Sequence, residues 1–218
     1  MQKPLFISIE GGDGAGKGTQ IRLLTAWLDV QKTNFILTRE PGGCPSAETL
    51  RKLVVEGDDD DWDGVSELLL YSAARREHIR KTILPALEEN IWVISDRFAD
   101  STTVYQGEGR GVLRKDVLKV HDMVVGKNWP DLTFILDIDP QVGIGRSKTN
   151  TDQNGKMNQE TRFENLDISF HEKVRQGFLK VAHENKERCI LIHADDTPEN
   201  VHAKMIVELE LFLERQAS

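Results

Sequence analysis

The run Gly11-Gly12-Asp13-Gly14-Ala15-Gly16-Lys17-Gly18-Thr19 is the stretch of this chain best equipped for chemistry. It fits G-x-x-x-x-G-K, lying between an apolar run at residues 5–9 and a helical pattern from residue 21. Glycines let backbone N–H groups turn toward an anion, and the helix N-terminus adds partial positive charge. A lysine at the end of the loop reaches terminal phosphates. One position departs from the general pattern. The hydroxyl that normally follows the lysine and holds Mg²⁺ is replaced by Gly18, with Thr19 next. Thr19 can still contact phosphate, so the loop implies nucleotide binding and leaves the metal ligand open.

Two further boxes carry anion chemistry. Thr38-Arg39-Glu40-Pro41-Gly42-Gly43 closes a second short apolar run, and Ser95-Asp96-Arg97-Phe98 closes a third. In open parallel sheets, ligands lie outside the carboxyl ends of the strands. Arg39 and Arg97 are therefore expected to face the crevice beside the loop, where guanidinium forks suit a second phosphate. Asp96, an acid ending an apolar strand, is read as organising Mg²⁺ or its waters. Asp137 and Asp139 invite a metal reading by spacing, but the simpler reading is a strand end feeding a helix that starts at Pro140. His78 reads as a packing or surface residue.

The elements that must position these groups follow from periodicity. Strands are expected at residues 5–9, 35–37, 91–95, 132–136 and 189–193. Helices are expected at 21–30, 46–55, 65–89 (bent near Pro85), 113–125, from 140, 164–184 and 198–214. Nearly all-apolar strands alternating with helices predict an α/β fold: a five-stranded parallel sheet with helices on both faces. Residues 148–161 hold almost no large apolar side chain and read as a mobile flap. Residues 57–61, Gly-Asp-Asp-Asp-Asp, read as a solvated loop.

Composition narrows the class. The chain has 218 residues, 39% hydrophobic, with a net charge of −8. Its length fits one domain over residues 1–218, with the flap as an insertion at about 147–161. The acidic balance argues against a nucleic-acid polymer as partner, because phosphate tracking needs a basic surface. No apolar run approaches the roughly 20 residues that span a bilayer, and residues 1–9 do not read as a secretory signal. The expectation is a cytoplasmic protein with no membrane partner. Cys44 and Cys189 are read as reduced thiols.

Together, Glu10-Gly11-Gly12-Asp13-Gly14-Ala15-Gly16-Lys17, Arg39-Glu40-Pro41-Gly42-Gly43, Asp96-Arg97-Phe98, Tyr105-Gln106-Gly107 and Pro130-Asp131-Leu132 resemble bacterial thymidylate kinases in order and spacing. These are nucleoside monophosphate kinases with the P-loop NTPase fold, a three-layer sandwich with a flexible LID. The resemblance covers residues 5–200. It implies transfer of the γ-phosphoryl of ATP to dTMP with Mg²⁺, giving dTDP for dTTP synthesis, by a homodimer. It assigns Arg39 and Arg97 to the dTMP phosphate and Asp13 to the sugar 3′-hydroxyl. Tyr71 and Arg75 fall on the thymine-holding helix. Tyr71 stands where a stacking Phe is usual, though a core aromatic is the alternative, and Arg75 would donate to a base carbonyl. Thr102 matches a base contact, Tyr105 the residue that crowds the 2′ position, and Gln106 a weaker base contact.

A cation must also neutralise the γ-phosphoryl oxygens. One subgroup places an Arg inside the loop, where this chain has Gly14, so a flap cation is expected here. Arg162 or Lys148 is assigned to the γ-phosphate, with Arg146 nearer the adenine or phosphates and Lys156 a further possibility. The alternatives are a kinase for another monophosphate or a deoxynucleoside, and a nucleotide-binding protein without catalysis.

Overall fold

The computed structural model describes residues 3–55, 61–149 and 166–217. Among them, five strands form one parallel sheet: β1 (Phe6–Gly11), β2 (Phe35–Arg39), β3 (Trp92–Asp96), β4 (Leu132–Asp137) and β5 (Cys189–His193). Their order is β2-β3-β1-β4-β5. The two strands carrying the loop and the Asp-Arg-Phe box are therefore central neighbours. In their register Ile9 faces Asp96, which sets Glu10 and Gly11 beside Arg97.

Strand side chains alternate between two cores. Ile7, Ile9, Ile94, Phe134 and Leu136 pack beneath α1 (Lys17–Val30) and α9 (Pro198–Ala217), through Leu24, Leu28, Met205 and Leu209. Phe6 and Val93 point to the other face, against Ile79, Ile83 and Phe98. Ile135 packs there too, against Val104, Val174 and Phe178 of the segments after β3 and in α8 (Ile168–Glu184). Ser8 and Glu10 share this second face with Phe6. Ser8 is satisfied by a 2.8 Å hydrogen bond with Thr133, and Glu10 is buried where the Arg97 segment packs.

The expected α/β sheet is observed, with differences in the helices. The single helix expected over 65–89 is divided into α3 (Gly64–His78), a π-helical turn (Ile79–Ile83) and α4 (Leu84–Glu88). Pro85 explains the break, because it has no N–H to continue the ladder. The widened turn precedes it, with Leu84 N–H reaching Ile79 O. Between Arg97 and Arg110 sequence periodicity shows no helix. The chain nevertheless coils there as α5 (Ala99–Thr102) and a π-helical segment (Thr103–Gly109). This stretch is short and buried nearly all round, so it carries no amphipathic stripe. The remaining helices are α2 (Pro45–Val55), α6 (Arg114–Val124) and α7 (Pro140–Thr149). α7 runs past the expected flap start, and α8 begins at Ile168 rather than 164. Arg162, Lys156, most of the acidic run and the rest of the flap lie outside the described residues, as does the side chain of Lys148.

α5 is anchored from behind by a buried ion pair. Arg188 donates to both oxygens of Asp100, at 2.7 and 2.8 Å, while its guanidinium lies over Trp129. Breaking a buried pair from one side leaves an uncompensated charge. Arg188→Met is expected to lower unfolding stability by about 3–5 kcal/mol in urea titrations. Adding Asp100→Asn should recover much of that loss. A single variant within about 0.5 kcal/mol of the parent would exclude this anchoring role.

Candidate active site

The loop wraps into α1 with Gly16 as its N-cap, in the left-handed region. Lys17 folds back over the loop, its Nζ donating to Gly11 O at 3.1 Å and Gly12 O at 2.8 Å. Withdrawal from water and the nearby Arg97 lower the Lys17 pKa from 10.5 to about 8. Gly14 has φ +69°, and a Cβ there would stand 1.8 Å from Gly143 O of α7. No side chain fits at that position without moving α7, so the loop cannot itself carry an arginine as arranged.

Arg97 is the centre of the second group. It has φ +65°. Nη1 donates to Gly11 O and Ser101 Oγ, both at 3.1 Å. Nη2 donates to Asp13 Oδ1 at 3.0 Å and Tyr105 Oη at 3.2 Å. Its guanidinium lies 5.0 Å from the Tyr105 ring centre. Behind it, Glu10 accepts from Phe98 N and Ser101 Oγ, both at 2.6 Å. Burial, reinforced by Asp100, pushes the Glu10 carboxyl above the usual range. Burial likewise raises the Tyr105 phenol, which stays neutral.

A cleft opens beside these groups. Its walls include Asp13, Arg97, Tyr105, Tyr71, Arg75, Thr102 and Gln106, so seven residues singled out in the sequence converge on one cavity. Tyr71 is half-buried on the cleft wall rather than enclosed in the core. Gln106 is oriented by Glu67, whose Oε2 accepts from Nε2 at 2.9 Å. Arg39 is not brought to this wall. It is 57% exposed and paired with Glu48 at 3.3 Å, because β2 is the edge strand and its last side chain points outward. Arg146 lies at the opposite end of the sheet edge, donating to Ala194 O at 3.2 Å, with Asp195 nearby.

Several site residues were not assigned roles from sequence. Glu10 and Ser101 hold the Arg97 turn, and the Arg97-x-x-x-Ser101 spacing is the only sequence hint of it. Arg51 on α2 donates to Pro41 O, and its charge is felt by Arg39, Glu48 and Asp96. His171 of α8 is buried, with Nδ1 3.9 Å from Asp13 Oδ2. Long-range packing brings it there, so local spacing has no trace of it. Asp137 pairs with Arg175 at 2.7 and 3.0 Å, and Asp139 Oδ1 accepts from Gln141 N, in keeping with the strand-end and cap reading. His78 is wholly buried and hydrogen-bonded through both ring nitrogens, so it is no surface residue.

A parallel sheet of this order, with a G-x-x-x-x-G-K loop leading from β1 into a helix, defines a P-loop NTPase. The thymidylate kinase family model matches residues 9–205, and the chain belongs to that family. It is 48% identical to a thymidylate kinase of Magnetococcus marinus, covering 94% of this chain and 95% of the relative. It is 46% identical to one of Maridesulfovibrio salexigens, covering 90% and 91%. A crystal structure of thymidylate kinase from Ehrlichia chaffeensis superposes with a TM-score of 0.75 at 35% identity. That match covers 95% of this chain and 98% of the other.

The lowered Lys17 pKa has a measurable consequence. Phosphate anions favour the charged amine and return its pKa toward 10.5, so ligand binding near pH 8 takes up protons. Any further rise at Glu10 acts in the same direction. Above pH 8 the empty site must be reprotonated first, and affinity for a phosphate-bearing nucleotide should fall by up to about tenfold per pH unit. Calorimetric titration with ATP at pH 8, in two buffers of different ionisation enthalpy, measures the uptake. Proton release, or affinity flat from pH 7 to about 9.5, would contradict this account.

Proposed function

We propose that this chain transfers the γ-phosphoryl group of ATP to dTMP, giving dTDP and ADP. The observation that carries this reading is the cleft itself. A phosphate-cradling loop lies on one side, and on the other Arg97, Tyr105, Thr102 and Arg75 run from a charged end to a base-sized end.

Phosphoryl transfer asks the protein for positioning and charge stabilisation more than for covalent chemistry. Lys17 and the backbone N–H groups of the loop hold the donor phosphates. Arg97 holds the acceptor phosphate, and Arg39 joins it by leaving its solvent-exposed pair with Glu48, which costs little. Asp13 orients the acceptor through its sugar hydroxyl. Tyr105, braced by Arg97, leaves no room for a 2′-hydroxyl. Tyr71 stacks on the base, and Arg75, Thr102 and Gln106 read its edge. Arg146 lies on the adenine side.

Mg²⁺ fits this site through Asp96. Its Oδ1 is buried with no hydrogen-bond partner among the described residues, as suits a carboxylate turned toward a hydrated cation. When bound, Mg²⁺ would neutralise phosphoryl oxygens.

The chain acts as one domain, in the cytoplasm, and as a homodimer. α3 leaves Val65 and Leu69 exposed one turn apart, and α6 leaves Leu118 and Met123 exposed. A second copy would cover such apolar positions.

A coupled assay with ATP and, separately, dTMP, dUMP, AMP and thymidine tests the function. Turnover with dTMP well above the others is expected. ATP binding with no turnover of any acceptor would sink the proposal.

The flap assignment has its own test. Because Gly14 abuts Gly143, the γ-phosphoryl cation must come from elsewhere, and Arg162 and Lys148 are the candidates. Alanine at one of them is expected to lower kcat by about a hundredfold or more. Near-normal turnover in both variants would remove the assignment.

A further inference from the structure

Arg75 is held by a relay of hydrogen bonds that starts at the cleft wall with Glu40 and Thr102 and runs behind it to His78 and Thr38. Its Nε donates to Glu40 Oε2 at 2.6 Å. Its Nη2 donates to Thr102 Oγ1 at 2.9 Å and Phe98 O at 3.2 Å. Nη1 is buried and has no partner among the described residues, and Arg75 lines the cleft. The second oxygen of Glu40 is taken by His78, whose Nδ1 lies 2.9 Å from Oε1. The far ring nitrogen, Nε2, lies 2.7 Å from Thr38 Oγ1. All three charged or titratable side chains are sealed: Arg75 is 2%, Glu40 3% and His78 0% exposed. A carboxylate only accepts, so Nδ1 carries a proton.

The arrangement is not the one an isolated Arg–carboxylate pair prefers. A guanidinium normally forks onto both oxygens through Nε and Nη2. This chain contains that form elsewhere, where Arg175 places Nε and Nη2 on the two oxygens of Asp137, at 2.7 and 3.0 Å. At Glu40 the second oxygen accepts from His78 and not from Arg75. Nη2 bonds Thr102 and Phe98 O instead, which turns the guanidinium plane and sets the direction of Nη1. His78 can reach the same carboxylate because Arg75 and His78 are three residues apart on α3, on one helix face. The backbone of the Gly42–Gly43 turn closes over the imidazole: a Cβ on Gly43 would lie 2.4 Å from the His78 ring.

We propose that His78 is a positioning residue for base recognition. By occupying one oxygen of Glu40, it keeps Arg75 from forking and so aims Nη1 at the base. The inference rests on the reading of the cleft as a dTMP site. An N–H donor aimed in this way favours a base with a carbonyl at C4, as in thymine, over one with an amino group, as in cytosine. Losing an aimed donor costs discrimination rather than phosphate binding.

The test uses the full chain with His78→Leu, which removes the ring donor, and His78→Asn, whose amide N–H can replace Nδ1–H. In His78→Leu, KM for dTMP should rise about tenfold or more, with kcat and KM for ATP within about twofold of the parent. The ratio of dTMP to dCMP affinity, measured by calorimetry, should narrow by about tenfold. His78→Asn should recover most of both. The proposal is overturned if the affinity ratio is unchanged in His78→Leu. It is equally overturned if kcat and both KM values deteriorate together with the melting temperature and His78→Asn is no better, the signature of a purely structural role. A parent chain that does not phosphorylate dTMP would refute the proposed function instead, and the affinity ratio would still decide the role of His78.

Discussion

The contact between Arg97 and Asp13 joins the two central strands at their carboxyl ends, and the rest of the site is arranged around it. It exists because β1 and β3 run parallel in adjacent positions with Ile9 opposite Asp96. That register brings the glycine loop and the Asp-Arg-Phe box to the same height. The guanidinium then has four oxygens within reach: Gly11 O, Asp13 Oδ1, Ser101 Oγ and Tyr105 Oη. A cation enclosed by acceptors in this way stays charged. It is also aimed, since its backbone is held at positive φ by the hydrogen bonds that Glu10 accepts beneath it. Side chains whose orientation is fixed before the ligand arrives lose little entropy on binding.

A second constraint runs through the Arg75 side of the cleft. Arg75, Glu40, His78 and Thr38 form a chain of hydrogen bonds spanning α3 and the end of β2. Buried polar networks of this kind are costly when incomplete, because each unpaired group keeps its desolvation penalty. Here one group is left incomplete, Arg75 Nη1, and it is on a residue of the cleft wall. A free donor in an otherwise satisfied network marks where a ligand is expected to supply the missing acceptor. The Glu40-Pro41-Gly42-Gly43 turn starts where β2 ends and sets Glu40 against Arg75 on the cleft wall, while Arg39 just before it turns outward to Glu48.

Overall charge and local charge separate cleanly in this protein. The chain carries a net charge of −8, yet Lys17, Arg51, Arg75 and Arg97 gather at one end of the sheet. Several of the acids near them are engaged in holding those cations. Glu10, Glu40 and Asp13 lie in direct or one-step contact with Arg97 or Arg75. An acidic composition thus describes the outer surface and says little about a pocket where each carboxylate is placed to orient a guanidinium.

The fold and the chemical class were legible in the order of the residues. Glycine spacing before Lys17, arginines after apolar runs and the alternation of strands with helices are local signals, because backbone preference and side-chain periodicity act over a few residues. The resemblance to thymidylate kinases supplied Tyr71, Arg75, Thr102, Tyr105 and Gln106 as candidates, and the tertiary structure brought them to one cleft. It alone decided that Arg39 turns outward to Glu48, that residues 99–109 coil into buried helical segments, and that a side chain at Gly14 would meet Gly143. It alone placed Glu10 beneath Arg97, His171 against Asp13 and His78 on the second oxygen of Glu40. Apart from the Arg39–Glu48 pair, nine residues apart, these facts depend on contacts between residues about 35 to 160 positions apart, set by strand order and helix packing. Short-range patterns cannot hold that information, because which oxygen a buried hydrogen bond uses is settled only when the surrounding elements have docked.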